Sequence, residues 1–262
     1  MVRLQDRVII VTGAADGIGY VYAEELARHG AKVVATAYDK DLEQVAKIQR
    51  LSTSIREQGG EALTVMVDVA DETSVEALVS KTMETYGRID GLVNNACIQT
   101  AKPFMEYTSD EFDLMMAINV KALWLCIKAV FPVMRQQGKG KVVNIGSQTF
   151  FSGWTNLAPY VASKGGVVGL TRALAREIGK DGIRINCLCP GLTVTEGALR
   201  EVQNSIHPGK VNAWLDSHVE EQCIPHPGYP QDLVGALLYL LSDDSDFMTG
   251  QTMLVDGGWT FN

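Results

Sequence analysis

Cysteine, histidine and proline are scarce in this 262-residue chain, and their scarcity excludes several kinds of protein. The five cysteines are an odd number with no C-x-x-C pair, so we expect reduced thiols in a cytoplasmic protein, not a disulfide framework. Cys187 and Cys189 are two residues apart, and we expect them on opposite faces of a strand, where they cannot share a metal. The four histidines include no pair at helical ligand spacing, and we expect no metal site.

The chain also lacks positive charge and an obvious membrane segment. Lys and Arg number 23 against 31 Asp and Glu, which gives a net charge of −8 and argues against nucleic-acid binding. The apolar run Val8 to Val11 is too short for a secretory signal. The most apolar long stretch, Ala122 to Met134, is interrupted by Lys128 and Pro132, so we expect no segment that crosses a bilayer.

Strand-like and helix-like segments alternate along the sequence. Short apolar runs predict strands at residues 8–11, 32–37, 62–67, 91–94, 141–145, 183–188 and 252–255. The intervening patterns predict helices at residues 18–29, 42–58, 73–86, 110–134, 159–179 and 231–241. This alternation predicts an α/β fold with a single doubly wound parallel sheet flanked by helices on both faces. We expect one domain over residues 1–262, with the irregular, proline-rich stretch 195–230 as a substrate-binding lid.

A glycine-rich turn follows the first predicted strand. It reads Thr12-Gly13-Ala14-Ala15-Asp16-Gly17-Ile18-Gly19 and leads directly into a helix. Glycines permit a tight turn and a close backbone approach, while a helix N-terminus offers free N–H groups to a pyrophosphate. Glycine spacing alone also fits a turn made for packing, but the strand before it and the helix after it favour dinucleotide binding.

Tyr160 and Lys164 are four residues apart, so a helix places them on the same face. A free tyrosine has a pKa of about 10, and a nearby ammonium favours the phenolate. The pair therefore predicts a tunable acid/base, although a solvated helix face would show the same spacing. Ser147 follows the fifth predicted strand, at the sheet edge where such folds place their ligands, and this favours a catalytic interpretation.

In order and spacing, these segments together resemble the short-chain dehydrogenase/reductase family over almost the whole chain. The matching segments are the T-G-x-x-x-G-I-G turn, Asp68-Val69, Asn94-Asn95-Ala96, Asn119, Ser147, Tyr160-x-x-x-Lys164 and Pro190-Gly191. The resemblance implies a Rossmann-type fold and an NAD(P)-dependent alcohol dehydrogenase or carbonyl reductase. It implies hydride transfer between nicotinamide and a secondary alcohol or ketone.

The resemblance also assigns catalytic roles. Tyr160 would exchange a proton with the substrate oxygen, and Ser147 would hydrogen-bond that oxygen. Lys164 would lower the tyrosine pKa and hold the nicotinamide ribose. Asn119 would anchor a water that links Lys164 to solvent, with hydrogen bonding inside its helix as the alternative.

Cofactor preference depends on the end of the second strand. Family members that prefer NAD usually carry Asp where this chain has Ala37, which weakens the case for NAD. The positions where NADP-preferring members carry a cation hold Asp16 and Tyr38, and Asp39 and Asp41 flank Lys40. We therefore expect NAD, with NADP left open. The resemblance predicts cofactor contacts at Gly13, Asp16, Gly17, Ile18, Gly19, Tyr38, Asp68, Val69, Asn94, Ala96, Tyr160, Lys164, Pro190, Thr193 and Thr195.

The substrate cleft in this family is lined by the segment between Ser147 and Tyr160. Trp154, Phe150 and Phe151 favour an apolar or ring-shaped substrate, and Gln148 offers a hydrogen-bond donor and acceptor. The lid adds Trp214, His207, His218 and His226. A cyclic or aromatic alcohol, a sugar and a keto acid derivative all remain open.

The sequence leaves two other functions open and indicates an assembly of several copies. An NADPH-dependent 3-oxoacyl thioester reductase would need a basic patch near the lid, where only Arg200 and Lys210 occur. A dinucleotide-binding redox sensor without turnover commonly loses the Tyr or the Lys, and both are present here. The apolar helices at 110–134 and 159–179 and the segment 254–259 resemble the family's assembly surfaces, so we expect a homotetramer, with a dimer as the alternative.

Overall fold

Seven parallel strands form one sheet at the centre of the molecule. The computed structural model describes residues 4–38, 40–203 and 209–261. The strands are β1 (Val8–Val11), β2 (Lys32–Ala37), β3 (Glu61–Met66), β4 (Gly91–Asn94), β5 (Gly140–Ile145), β6 (Ile183–Pro190) and β7 (Thr252–Val255). Their spatial order is β3-β2-β1-β4-β5-β6-β7. The predicted doubly wound, Rossmann-type parallel sheet is confirmed.

Helices connect the strands on both faces of the sheet. They are α1 (Gly17–Arg28), α2 (Leu42–Glu57), α3 (Glu72–Tyr86), α4 (Ser109–Met116), α5 (Ala122–Gln137), α6 (Thr149–Ser152), α7 (Ala158–Ile178), α8 (Glu196–Glu201), α9 (Val211–Glu221) and α10 (Val234–Leu241). A π-helical segment, Ala117–Lys121, joins α4 to α5. Short 3₁₀ turns lie at Phe104–Glu106, Gly179–Asp181, Pro230–Leu233 and Asp243–Ser245.

Alternate residues of each central strand enter two separate apolar cores. Ile9 and Val11 of β1 pack with α1, α2 and α10, whereas Val8 and Ile10 pack with α3, α5 and α7 on the other face. Each fully buried side chain of this size contributes about 1.5–3 kcal/mol. Because both faces are covered, the strands are apolar at successive positions, as the sequence indicated.

The long helix from Ser109 to Gln137 includes the most apolar stretch of the sequence. By length and composition alone it is apolar enough to cross a membrane. Lys128 and Pro132 do not interrupt it. Its apolar residues have another explanation in this fold: Leu123, Ile127 and Val130 are buried in the core between helix and sheet.

The predicted helices and strands are present, with boundaries that shift by a turn of helix or less. Stretch 195–230 is less irregular than expected. Thr195 caps α8 by accepting a hydrogen bond from the Ala198 N–H, and α9 supplies a further three turns. His207 lies outside the described residues, as do Pro208 and Asp39.

Candidate active site

The sheet order creates a crevice at the carboxyl ends of its central strands. β1 lies between β2 and β4, so the connections that leave β1 and β4 diverge to opposite faces. A cavity of about 390 Å³ opens there. Residues from the glycine turn, from the ends of β4, β5 and β6, and from the lid line it together. The fold thus collects segments that are far apart in sequence at one site.

The glycine turn depends on missing side chains. Gly13 and Gly17 have φ values of +63° and +57°, a region that L-residues with side chains rarely adopt. A Cβ on Gly19 would clash with the Gly13 carbonyl oxygen and lie 2.5 Å from Nδ2 of Asn95. A glycine at position 19 therefore lets the start of α1 pack directly against the turn.

The start of α1 is open to an anion. Asp16 occupies the N-cap position, but its side chain makes no capping hydrogen bond to the helix. It instead accepts a hydrogen bond from Nζ of Lys47 at 3.0 Å, and Lys47 also pairs with Glu43 at 2.9 Å. The first N–H groups of α1 thus remain available, and this geometry fits the pyrophosphate of a dinucleotide.

Thr12 and Asn95 hold the glycine turn against the end of β4. Thr12 Oγ1 accepts hydrogen bonds from the Asn95 and Ala96 N–H groups, each at 3.0 Å. Asn95 Nδ2 donates to the carbonyl oxygens of Thr12 and Gly13, also at 3.0 Å. Asn94 and Ala96 were predicted to contact the cofactor, but these hydrogen bonds between Thr12 and Asn95 were not predicted. The place of Asn95 within the Asn94-Asn95-Ala96 segment was the available signal.

The residues predicted to surround the adenosine lie at the same edge, and several have structural partners. Asn94 Nδ2 donates to Asn144 Oδ1 at 2.9 Å and so ties β4 to β5. Asp68 Oδ1 accepts from the Ala70 N–H at 3.0 Å, which leaves its second carboxylate oxygen for another donor. Val69 lines a small cavity beside Asn94. Tyr38 is exposed just after β2, with Nζ of Lys40 at 5.6 Å from its ring centroid.

Tyr160, Lys164 and Ser147 meet at the floor of the cavity. Tyr160 and Lys164 are buried one turn apart on α7, and Nζ of Lys164 lies 5.4 Å from the centroid of the tyrosine ring. Lys164 donates to the Ile145 carbonyl oxygen at 2.9 Å. Ser147 Oγ accepts from the Thr149 hydroxyl at 2.9 Å, so its own proton is available to the tyrosine oxygen.

Burial dominates the electrostatics of this group. It raises the pKa of Tyr160, while the Lys164 ammonium and the Ser147 hydrogen bond oppose that rise. Burial acts to lower the pKa of Lys164, but Tyr160 and nearby thiols outweigh it and the pKa of Lys164 lies above its ordinary value. The lysine therefore stays charged and the tyrosine keeps its proton at neutral pH.

Asn119 lies in the π-helical segment between α4 and α5. Its Nδ2 donates to the Ile98 carbonyl oxygen at 2.9 Å and to Ser163 Oγ at 3.0 Å, and its Oδ1 accepts from the Ile98 N–H at 2.8 Å. The side chain therefore joins three parts of the structure. Asn119 and Lys164 also line one small cavity, with room of about one water molecule.

The segment after β6 forms the facing wall. Pro190 ends β6, and its carbonyl oxygen accepts from the Gln148 N–H at 3.0 Å. Thr193 is buried, and its hydroxyl donates to the Gly191 carbonyl oxygen at 3.1 Å. Thr193, Thr195 and Ile18 all line the main cavity, opposite Tyr160.

The predicted substrate residues are only partly brought together. Gln148, Trp154 and Trp214 line the cavity. Phe150 and Phe151 do not, which corrects the expectation: Phe151 packs into the core, and Phe150 is 39% exposed beside Gly165 on α7. These two residues belong to the short helix α6, which turns their side chains away from the crevice.

Trp154 packs in an aromatic cluster with Trp214 and His218, both expected in the lid, and with Trp259, which was not expected at the site. The His218 ring lies among three indoles, with centroid distances of 4.9 Å to Trp154, 4.1 Å to Trp214 and 4.8 Å to Trp259. His226 lies in an exposed loop instead, where its Nδ1 is 2.9 Å from the Pro227 carbonyl oxygen. Trp259 places the C-terminal segment against Trp154 and His218. No local sequence pattern predicts this contact.

Cys187 and Cys189 correct another expectation. Their Sγ atoms lie 3.6 Å apart, both buried beneath Gly146. Side chains of a strand alternate with a period of two, so residues i and i+2 share a face and do not oppose each other. The hydrogen bond between the two thiols raises the pKa of Cys187.

Comparisons with known proteins find relatives over almost the whole chain. Residues 13–260 match the family model described as enoyl-(acyl carrier protein) reductase. Levodione reductase of Leifsonia aquatica is 35% identical over 98% of this chain and 95% of its own length. A crystal structure of levodione reductase matches with a TM-score of 0.90 and 33% identity, and covers 97% of this chain and 98% of that one.

A second solved structure carries a nucleotide. It is a putative NAD(P)-dependent gluconate 5-dehydrogenase from Beutenbergia cavernae with NADP bound at low occupancy. Its TM-score is 0.86 at 32% identity, with 98% of each chain covered.

Proposed function

The chain belongs to the short-chain dehydrogenase/reductase family of NAD(P)-dependent oxidoreductases, and on that premise we propose that it interconverts a secondary alcohol and a ketone with Tyr160 as acid/base. One observation carries the proposal: Ser147, Tyr160 and Lys164 converge in the cavity beside an uncapped helix N-terminus. That arrangement combines a phosphate cradle with a buried proton donor.

The chemistry divides between cofactor and protein. The nicotinamide ring supplies the hydride in reduction and accepts it in oxidation. When hydride from the bound cofactor reduces a carbonyl, the C=O π electrons would move to the oxygen and Tyr160 would give that oxygen its proton. Ser147 donates a hydrogen bond to the same oxygen and stabilises its developing charge. In oxidation Tyr160 accepts the hydroxyl proton.

Lys164 and Asn119 support the acid/base role of Tyr160. The fixed charge of Lys164 stabilises the phenolate left after proton donation, since it opposes the effect of burial on the pKa of Tyr160. The small cavity shared by Asn119 and Lys164 offers a route by which a water restores the proton. Asn119 is thereby a positioning residue of the site.

NAD is the cofactor that the charges favour. Asp16 and Tyr38 occupy positions beside the end of β2, and Lys47 is already paired with Asp16 and Glu43. A 2′-phosphate would have to compete with these two carboxylates for Lys47. The test is kcat/KM for NAD and for NADP with one secondary alcohol. We expect NAD to be preferred, and a preference for NADP would overturn this part of the proposal.

The lid and the assembly are part of the proposal. Residues 195–230 act as a lid, since Ala198, Val202 and Trp214 line the outer side of the cavity. Exposed apolar side chains on α4 and α5 support a homotetramer: Leu114 is 53% and Trp124 39% exposed, and Trp124 lines a groove with Leu170. Sedimentation velocity should find a tetramer, and a stable monomer would rule the assembly out.

The names of relatives leave the substrate open between a ring compound and a sugar acid. One relative is named for levodione and one neighbour for gluconate. A 3-oxoacyl thioester reductase is less well supported, because Lys164 is the only charged residue among the described residues that line the cavity.

A further inference from the structure

The substrate end of the main cavity is uncharged. Among the described residues that line the cavity, Lys164 alone carries a charged side chain, and its ammonium is committed to the Ile145 carbonyl oxygen and the Tyr160 ring. A substrate carboxylate or phosphate would therefore be buried there without a partner, at a cost of several kcal/mol. This disfavours acidic substrates.

Flat apolar walls bound the same space. Trp154 and Trp214 line it with their ring centroids 6.4 Å apart, nearly perpendicular at 85°. The His218 ring packs against both indoles, and Trp259 packs against Trp154 and His218, so these two residues fix the orientation of the indoles. Leu157 and Leu192 add aliphatic contacts. Two fixed indoles at a right angle can contact the face and the edge of one compact ring. They therefore favour a ring-shaped substrate over a flexible chain.

Gln148 supplies one directed polar group. It is 2% exposed, and its Oε1 accepts hydrogen bonds from Ser152 Oγ at 2.9 Å and Thr260 Oγ1 at 3.4 Å. Within the part of the chain that the structure describes, its Nε2 group donates no hydrogen bond to protein, although the residue lines the cavity. The two hydroxyls thus orient the amide so that Nε2 is left as the donor at the cavity, where a ligand oxygen can accept a hydrogen bond from it.

From these three observations we propose that the substrate is an uncharged ring ketone, or the corresponding alcohol, with a second oxygen that accepts a hydrogen bond from Gln148. This inference rests on the proposed function, since Ser147 and Tyr160 must hold the reacting oxygen. Trp154 and Trp214 then determine the ring specificity, and Gln148 determines which end of the ring faces the tyrosine.

Three ketones that differ only at one ring carbon test the inference with the wild-type protein. They are 1,4-cyclohexanedione, cyclohexanone and 4-oxocyclohexanecarboxylate, each reduced with NADH and with NADPH. We expect kcat/KM to be roughly ten- to a hundredfold higher for the dione than for cyclohexanone, and lowest for the carboxylate. Equal values for the dione and cyclohexanone, or a preference for the carboxylate, would overturn the inference.

The variant Gln148→Met tests whether Gln148 causes the preference for the dione over cyclohexanone. It keeps side-chain length without a donor, so the ratio of kcat/KM between dione and cyclohexanone should fall toward one. Gln49→Met, at an exposed position on α2, should keep the wild-type ratio. A Gln148→Met ratio equal to wild type would contradict the role of Gln148. No turnover of any ketone with either cofactor would instead contradict the hydride-transfer function, so the two failures are distinguishable.

Discussion

At the scale of single residues, burial and the charge of Lys164 have opposite effects on the pKa of Tyr160. Tyr160 is buried, and burial alone favours its neutral form. Lys164 is buried beside it and stays charged because the tyrosine and the Ile145 carbonyl oxygen face it. The sequence spacing predicted this pair, but it did not predict that burial would outweigh the lysine in the pKa of Tyr160.

The variant Lys164→Met tests that balance. Removing the ammonium removes the main effect that lowers the pKa of Tyr160, so this pKa should rise further. Alcohol oxidation needs the phenolate, so kcat plotted against pH should shift to higher pH, with a fall of about 10²- to 10⁴-fold near neutrality. Lys180→Met, an exposed lysine after α7, should keep the wild-type profile. An unshifted profile for Lys164→Met would contradict the assignment.

Residue types and spacing indicated the reacting groups, whereas their supporting partners depend on loop geometry. Ser147, Tyr160 and Lys164 were predicted because each lies at a fixed place relative to a strand or helix. Thr149, which donates to Ser147, and Asn95, which holds the glycine turn, were not identified as site residues. Nothing local in the sequence specifies where a loop folds back, so these hydrogen bonds appear only with the tertiary structure.

At the scale of elements, the junction of β1 and α1 is the most constrained part of the chain. Gly13 and Gly17 require positive φ, and Gly19 has no room for a side chain. The glycines of T-G-x-x-x-G-I-G are thus required by the backbone conformation and by close packing, as well as by access of a phosphate to the turn. Because these requirements are local, the sequence was enough to predict the junction. Trp154, Trp214 and His218 were expected at the cleft, but their packing with Trp259 was not predicted, because these residues come from separate segments of the chain.

The variant Gly19→Ala should distort this junction. Its Cβ would clash with the Gly13 carbonyl and crowd Asn95, so we expect a loss of about 1–3 kcal/mol in unfolding free energy and weaker NAD binding. Gly169→Ala is the matched control: it lies within α7 with open space around its Cβ, and should stabilise by about 0.5–1 kcal/mol. Denaturant unfolding and titration calorimetry measure both effects. Unchanged NAD affinity in Gly19→Ala would count against the phosphate cradle.

At the scale of the whole molecule, the alternation of strands and helices was sufficient to predict the sheet and its two covered faces. Composition was less informative about the long helix Ser109–Gln137. Its apolar residues serve the core on one side, while Leu114 and Trp124 remain exposed on the other. Sequence alone does not separate a core helix from a membrane helix when both need a long apolar run. A cytoplasmic location remains a prediction from the cysteine content.

The expectation that Cys187 and Cys189 lie on opposite faces of a strand was wrong because of strand geometry. The strand β6 was predicted to end at Leu188, but it extends to Pro190 and carries both thiols into the sheet. Within a strand the two side chains share a face, which places their sulfur atoms together under Gly146. The error was therefore one of periodicity alone, since residues i and i+2 of a strand share a face.

The central claim is that Tyr160 exchanges the proton that accompanies hydride transfer, and the variant Tyr160→Phe tests it most directly. The measurement is single-turnover oxidation of a secondary alcohol by wild type and variant, each first titrated with NAD to show that binding is retained. The account predicts similar NAD affinity and a rate of hydride transfer that falls by about 10²- to 10⁴-fold. A Tyr160→Phe protein that binds NAD and transfers hydride at the wild-type rate would contradict it.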